Sequence, residues 1–253
     1  MHKIKKFYRL FNEIKLLEKV HASFSQFETK RQFIDYAFNS FEAIDKSRLI
    51  SSLCRGKDVL DVGCIDHSYQ VAMNLGDRWL HKQIKEVSQS LVGLDILEED
   101  AKQLNTHGYN IMVANAESFD LGRKFDVVVV GDLIEHLGNI GSFLTSLEKH
   151  LHKDSIVIIT TPNPFNIEQT MLCFFEGQTI VNDEHTVWID PKVMYELIQR
   201  SNLRIVDFYW VETRFKLHIN RKIIGYLANG FCEALMRIRP VFRRDYAIVV
   251  TLG

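Results

Sequence analysis

The 253-residue sequence has few prolines, few cysteines, almost no net charge and no long apolar run. Its four cysteines form no Cys-x-x-Cys pair, which excludes a zinc knuckle and indicates buried thiols in a reducing compartment. No apolar run approaches the roughly 18 residues that a membrane-spanning helix needs. The N-terminus also lacks the apolar core of a signal peptide. We therefore expect a cytoplasmic protein.

The small net charge limits the classes of partner. A formal net charge of −1 provides no general attraction to nucleic acid, so an anionic partner would have to meet a local basic patch. The chain has no internal repeat and no low-complexity linker, and its four prolines all lie beyond residue 161. This length and composition predict one well-buried domain with an appended element.

From Asp58 onward, short apolar runs alternate with helical stretches. Because the runs are continuous, they predict strands buried on both faces, as in a parallel sheet covered by helices. The predicted fold class is therefore α/β, with a doubly wound, seven-stranded and mostly parallel sheet. The predicted strands are 58–63, 91–96, 109–116, 125–130, 155–161, 203–211 and 246–252, and the predicted helices lie near 69–88, 98–105, 141–150, 191–200 and 221–238.

Several segments fall outside this alternation. Residues 1–55 look helical and precede the first strand, so we expect them to form a flank or lid, with the main domain in 56–253. Within that domain, 164–187 and 213–244 are expected to be insert or lid elements. Basic residues accompany an apolar stripe in 1–20 and 213–244. Such a helix either packs its stripe on the sheet or lies on an anionic membrane surface.

Polar residues follow the predicted strands where a ligand would bind. In an open parallel sheet, ligands bind beyond the carboxyl ends of the strands, near the point where the strand order reverses. Asp61 and Gly63 close the first strand, and Asp95 closes the second, where a carboxylate can accept both hydroxyls of a ribose. Asn115 and the backbone of Ala116 close the third and could read an adenine edge. Together they predict a cofactor site.

The joint pattern resembles the class I S-adenosylmethionine-dependent methyltransferases. VLDVGC (59–64), VGLDI (92–96) and ANAESF (114–119) match their first three motifs, and FDVVVVGDLIEHL with SIVIITTPNP looks like the next two. The agreement covers about residues 55–212. The resemblance implies a Rossmann-like methyltransferase fold with an antiparallel last strand, and S-adenosylmethionine as cofactor. The cofactor residues it implies are Asp61, Gly63, Cys64, Asp95, Ile96, Asn115, Ala116 and Gly131.

The loop between the first predicted strand and the helix near 69–88, called the first loop below, departs from the family pattern. That pattern typically reads Asp-x-Gly-x-Gly-x-Gly. Ile65 and His67 replace two glycines, and Asn115 stands where Asp is more usual. A side chain at a glycine position can clash with a ligand or strain a positive φ. We nevertheless expect a cofactor that lacks a pyrophosphate to be held, with Asp66 or Ser68 capping the next helix. A dinucleotide, which requires Gly-x-Gly-x-x-Gly, is excluded.

A second cluster follows the fourth strand. Asp132, Glu135 and His136 would share one face if their segment were helical, and His185 should return over the same end of the sheet. The pattern is similar to that of small-RNA 3′-terminal 2′-O-methyltransferases and of ubiquinone-pathway O-methyltransferases. This resemblance implies a divalent cation, Mg²⁺ or another, held by Asp132, Glu135, His136 and His185. A metal-free His136 base and a purely structural role are the alternatives.

Three hypotheses for the function follow. The first is an O-methyltransferase with catalytic His136 and Glu135 that acts on a hydroxyl of a small molecule, a glycan or a lipid-linked acceptor, with the basic helices meeting a membrane surface. The second is an RNA-terminal 2′-O-methyltransferase, whose affinity local basic charge would supply; the near-neutral chain makes nucleic acid a poor partner. The third is a non-catalytic scaffold in which Ile65 and His67 close the pocket.

Overall fold

A computed structural model describes residues 27–41, 43–179, 181–212 and 222–253, with side chains in the last range described from residue 230. The amphipathic stretch predicted in 1–20 and the segment 213–221 lie outside the described residues. The strands are β1 Ala43–Ile44, β2 Asp58–Val62, β3 Ser90–Asp95, β4 Ile111–Val113, β5 Phe125–Gly131, β6 Leu151–Pro162, β7 Leu203–Val211 and β8 Asp245–Leu252. The α-helices are α1 Lys30–Asn39, α2 Lys46–Cys54, α3 Tyr69–Leu75, α4 Leu80–Val87, α5 Glu98–Thr106, α6 Ile140–Glu148, α7 Ile167–Glu176, α8 Pro191–Gln199 and α9 Lys222–Ile238.

The strands form one sheet in the order β1-β7-β8-β6-β5-β2-β3-β4. Strand β8 runs antiparallel to both of its neighbours, and the other pairings are parallel. This topology confirms the predicted fold class, including the antiparallel last strand. The sheet has an eighth strand that the sequence did not reveal: β1, in the N-terminal flank, pairs with the end of β7. Two residues are too few to show any periodicity.

Helices cover both faces of the sheet, as the continuous apolar runs predicted. Along β5, Val128 and Val130 pack in the cluster that contains Phe33 of α1. Val127 and Val129 pack in the cluster that contains the buried side of α2. Because successive side chains of a strand point to opposite faces, a strand buried on both faces is apolar at every position.

Two predicted elements were wrong in detail. The single helix expected near 69–88 is divided into α3 and α4 by a 3₁₀ turn at Gly76–Arg78, and Gly76 has a φ of 54° that ends the first helix. The third strand, expected over 109–116, is only β4, because Asn115 begins a turn by accepting a hydrogen bond from the Glu117 amide. In the described ranges, no helix is both long and apolar enough to cross a membrane.

The strand order reverses at β2, which pairs with β3 on one side and with β5 on the other. Beyond the carboxyl ends of these strands lies a cavity of about 1160 Å³. This is the place where open α/β sheets bind their ligands.

Candidate functional site

All the predicted site residues line this one cavity. They are Asp61, Gly63, Cys64, Asp95, Ile96, Asn115, Ala116, Gly131, Asp132, Glu135, His136 and His185. Segments far apart in the sequence therefore meet at one end of the sheet, and their detailed geometry decides what each can do.

The first loop keeps the cavity open although it contains only one glycine. Gly63 has a φ of 74°, and a Cβ there would lie 2.9 Å from Leu133, so both backbone conformation and space require glycine. Ile65 is only 6% exposed, and its side chain packs in a core cluster with Trp79 and Leu104. His67 itself adopts a positive φ of 58°. The side chain of Ile65 is thus accommodated in the core, which argues against a closed pocket.

Asp95 connects the first loop to the end of β3. Its Oδ2 accepts a hydrogen bond from the Ile65 amide at 2.8 Å, and its Oδ1 accepts from the Ile96 amide at 2.8 Å and the Leu97 amide at 3.2 Å. Burial raises the pKa of Asp95 in spite of these donors, and nearby Asp61 adds to the effect. The carboxylate therefore fixes the loop as well as facing the cavity.

The third predicted cofactor position, Asn115, stabilises its own turn. The Asn115 Oδ1 accepts a hydrogen bond from the Glu117 amide at 2.8 Å, so this oxygen already closes its own turn. The Glu117 side chain in turn accepts from the Asn139 amide at 2.9 Å. The backbone beside Ala116 still lines the cavity.

Glu135, His136 and His185 form the second cluster. Each places one ligand atom within 4.8 Å of the others, and the rings of His136 and His185 are perpendicular with centroids 4.7 Å apart. Glu135 is 2% exposed; its Oε2 accepts a hydrogen bond from Thr161 at 2.9 Å, whereas its buried Oε1 has no partner among the described residues. Burial, with a contribution from Asp132, raises the pKa of Glu135 to about 7.

Backbone contacts bring His185 to this cluster. The Glu135 carbonyl oxygen accepts hydrogen bonds from the Thr186 amide at 2.9 Å and from the Val187 amide at 3.3 Å, and the Thr186 hydroxyl donates to the Leu137 carbonyl at 2.7 Å. Burial and the neighbouring His136 lower the pKa of His185. A neutral imidazole, the form that binds metals, is thereby favoured.

Asp132, the fourth predicted metal ligand, lies outside this cluster. It has a positive φ of 50°, forms an ion pair with Lys46, and accepts a hydrogen bond from the Thr160 hydroxyl at 2.7 Å. Burial opposes its ionisation, but Lys46 and Thr160 together hold the pKa of Asp132 below its ordinary value. The segment forms only a 3₁₀ turn at Ile134–His136, so the α-helical spacing that would have aligned Asp132 with Glu135 does not exist.

Sequence reasoning missed Lys46 and Asp245, which line the cavity together with Trp188. Lys46 comes from the N-terminal flank, where no motif marks it. Asp245 begins β8, and burial, with a contribution from Asp132, raises its pKa to about 6. Its position at a strand end was the one signal available. Trp188 is 42% exposed and lies in the same segment as His185.

Comparisons with known proteins concern the family and the fold of the chain. A family model described as a methyltransferase domain matches residues 35–207. A ubiquinone biosynthesis O-methyltransferase of Rickettsia akari is 25% identical over 155 residues, which cover 59% of this chain and 60% of that protein. An (S)-tetrahydroprotoberberine N-methyltransferase of Eschscholzia californica is 23% identical over 104 residues, covering 41% and 29%. The chain thus spans at most about 60% of the length of these two relatives.

Solved structures share the fold. A putative methyltransferase from Bacillus halodurans superposes with a TM-score of 0.53 at 14% identity, covering 82% of this chain and 96% of that one. An S-adenosylmethionine-dependent methyltransferase from Mesorhizobium loti gives 0.50 at 13% identity, covering 81% and 95%. At such identity the likeness concerns the fold alone, whereas the family model spans well over half of the chain. This chain belongs to the methyltransferase domain family, among the class I S-adenosylmethionine-dependent methyltransferases.

Proposed function

We propose that this protein transfers the methyl group of S-adenosylmethionine to a hydroxyl oxygen of a small molecule or glycan, with the assistance of a divalent cation. The observation that carries this proposal is the position of Glu135, His136 and His185 in the same cavity as the complete set of predicted cofactor residues. The cofactor, when bound, supplies an electrophilic methyl group on a sulfonium.

The cofactor end of the cavity fits a ligand of this charge and shape. S-adenosylmethionine carries a sulfonium and an ammonium, and the buried carboxylate of Asp61 provides negative charge for them. Gly63 leaves its backbone bare in a conformation that other residues rarely adopt. Asp95 is proposed to hold the ribose, and the backbone at Ala116 to face the adenine.

The acceptor end fits a divalent cation. The buried Oε1 of Glu135 has no hydrogen-bond partner among the described residues, and a buried oxygen in that state is matched by a water, a ligand or an ion. Two imidazoles with one carboxylate suit Mn²⁺, Fe²⁺, Co²⁺ or Zn²⁺ better than Mg²⁺, which prefers oxygen ligands. A cation at this site, when bound, would lower the pKa of a hydroxyl that contacts it. Glu135, His136 and His185 are the residues that would hold it.

An alternative without metal uses the same residues. An alcohol loses its proton as it attacks the methyl group, and a partly buried imidazole at the cavity wall can accept that proton as a general base. His136 would then be the base. In both versions the acceptor hydroxyl lies beside Glu135 and His136, and the cavity walls orient it toward the cofactor.

The lining of the cavity argues against RNA as the acceptor. Among the residues that the structure describes, five Asp and four Glu line it, against one Lys and two Arg. A phosphate backbone would meet carboxylates near the reacting centre, whereas nucleic-acid sites gain their affinity from Lys and Arg. A neutral hydroxyl compound suffers no such repulsion.

A peripheral membrane contact is a separate proposal for the basic C-terminal helix. On α9, Phe231 and Ile238 are 58% and 59% exposed, and Arg237 on the same helix and Arg239 directly after it are also exposed. Apolar and basic groups on one helix are typical of attachment to an anionic bilayer. Co-sedimentation with phosphatidylserine vesicles, compared with phosphatidylcholine vesicles, tests this contact and with it a lipid-linked acceptor.

Calorimetry on the whole chain tests the main proposal. S-adenosylmethionine should bind, and Mn²⁺ should raise the melting temperature of the wild type and not that of His185→Ala. Tritiated S-adenosylmethionine, offered with sugars, catechols and amines, should label a hydroxyl product. Full turnover in excess chelator would rule out the metal. Labelling of amines alone would exclude oxygen as the acceptor atom. A failure to bind the cofactor would contradict the proposal as a whole.

A further inference from the structure

Two buried aromatic side chains beneath the first loop are not explained by the site described so far. Trp79 and His81 lie at the start of α4, directly after the 3₁₀ turn that interrupts the predicted long helix. Each is 2% exposed, and both belong to the wall of the cavity. Their position results from the break at Gly76, which turns the chain back under the loop.

His81 makes a hydrogen bond to the end of β2, and Trp79 makes one to the first loop. His81 Nδ1 lies 2.8 Å from Oδ2 of Asp61, which is itself 3% exposed. Because an ionised carboxylate can only accept, His81 is the donor. The Trp79 indole N–H donates to the Cys64 carbonyl oxygen at 2.9 Å. The two bonds therefore hold the loop on either side of Gly63.

The rings pack against each other beneath the loop. The Trp79 ring centroid lies 5.2 Å from that of His81 and 4.8 Å from that of Tyr109. A Cβ at Gly93, in the neighbouring strand, would lie 2.6 Å from Cys64 Sγ and 2.9 Å from His81 Cε1. Glycine at this strand position therefore leaves space for the loop and for the imidazole beneath it.

We propose that Trp79 and His81 form a clamp that orients the first loop for the methionine part of the cofactor, with His81 as a positioning residue for Asp61. This inference rests on the proposed function. The Asp61 carboxylate faces the cavity at the Gly63 end, where it attracts the ammonium of the cofactor, and His81 fixes the direction of that carboxylate. In a loop where Ile65 and His67 occupy glycine positions, this support holds the backbone beside the ligand.

Two ligands separate this role from a merely structural one. S-adenosylmethionine carries the ammonium and the sulfonium, whereas 5′-methylthioadenosine is a neutral thioether that lacks both charges and keeps the ribose and adenine. In calorimetry on the full chain, His81→Phe should weaken S-adenosylmethionine about tenfold or more, the usual scale for a hydrogen bond to a charged group. It should change the affinity for 5′-methylthioadenosine by no more than about twofold. His81→Asn, whose amide N–H can replace the Nδ1 donor, should stay close to the wild type.

Two further variants keep the test decisive. Asp61→Asn retains an acceptor for His81 but removes the charge, so it should also lose affinity for S-adenosylmethionine alone. His152→Phe is the matched control, because His152 lies 3.2 Å from Asp126 at the opposite end of the sheet, and it should bind both ligands normally. An equal loss of both ligands in His81→Phe, or no loss of either, would overturn the clamp. A wild type that binds neither would overturn the proposed function itself.

Discussion

Replacement of Glu135 by Gln gives the sharpest test of the acceptor end. Glu135 is 2% exposed, and its pKa is raised from the ordinary 4.5 to about 7. Each unit of pKa displacement corresponds to about 1.4 kcal/mol, so keeping this carboxylate ionised in the folded protein costs about 3 kcal/mol. Gln has the shape of the protonated acid and carries no such cost.

The sign of the pH dependence follows from the raised pKa. The folded protein binds the proton more tightly than the unfolded chain, so the contribution of Glu135 to stability is greatest below pH 4.5 and is lost as the pH rises to about 7. In chelator, Glu135→Gln should therefore exceed the wild type in free energy of unfolding by about 1 kcal/mol at pH 5 and by about 3 kcal/mol at pH 8. Asp245 also has a raised pKa, but it is present in both proteins and its effect cancels.

Urea denaturation at the two pH values, with and without Mn²⁺, measures this difference. At pH 8, Mn²⁺ at about a hundred times its dissociation constant should stabilise the wild type by about 2.7 kcal/mol and leave Glu135→Gln unaffected. Glu117→Gln, at a less buried carboxylate of the same cavity, is the control. Equal pH slopes for wild type and Glu135→Gln would refute the reasoning about burial, and stabilisation of both proteins by Mn²⁺ would place the ion elsewhere.

Three other substitutions test the cofactor end. Ile65→Ala should destabilise the protein by about 2–5 kcal/mol in urea denaturation, because Ile65 is a core residue. The same variant should not bind S-adenosylmethionine more tightly, and tighter binding would support the closed-pocket hypothesis. Gly93→Ala should cost about 1–3 kcal/mol by the same method, since its Cβ would lie 2.6 Å from Cys64 Sγ; an unchanged midpoint would show that the loop can shift. Asp95→Ala should lower the affinity for S-adenosylmethionine and for 5′-methylthioadenosine alike, by about a hundredfold in calorimetry. A loss of affinity for only one of the two ligands would contradict a ribose contact.

Local patterns predicted the elements of the fold better than their interruptions. The strand at 203–211 was predicted to the residue, because a run rich in β-branched and aromatic residues is a strong signal. The helix break at Gly76 was not recognised, since an isolated glycine in a helical pattern is often tolerated. That break places Trp79 and His81 beneath the first loop, so the missed feature bears directly on the cofactor site.

The motif after β5 shows a second limit of sequence reasoning. Spacing aligned Asp132 with Glu135 and His136 only on the assumption of an α-helix, whereas Asp132 adopts a positive φ and pairs with Lys46. That lysine lies 86 residues earlier in the chain, and no local signal connects the two. His185, by contrast, was predicted from its place after the fifth strand, and the structure brings it to Glu135 and His136.

By itself, the sequence determined the sheet, its parallel core and the strand ends near Gly63 and Asp95, because apolar runs and the polar residues that end them are local properties of the chain. Only the tertiary structure decided that Ile65 lies in the core without closing the cavity, that Asp132 pairs with Lys46, and that His81 holds Asp61 from below. Each of these depends on which distant side chain occupies the adjoining space, and packing in three dimensions sets that partner.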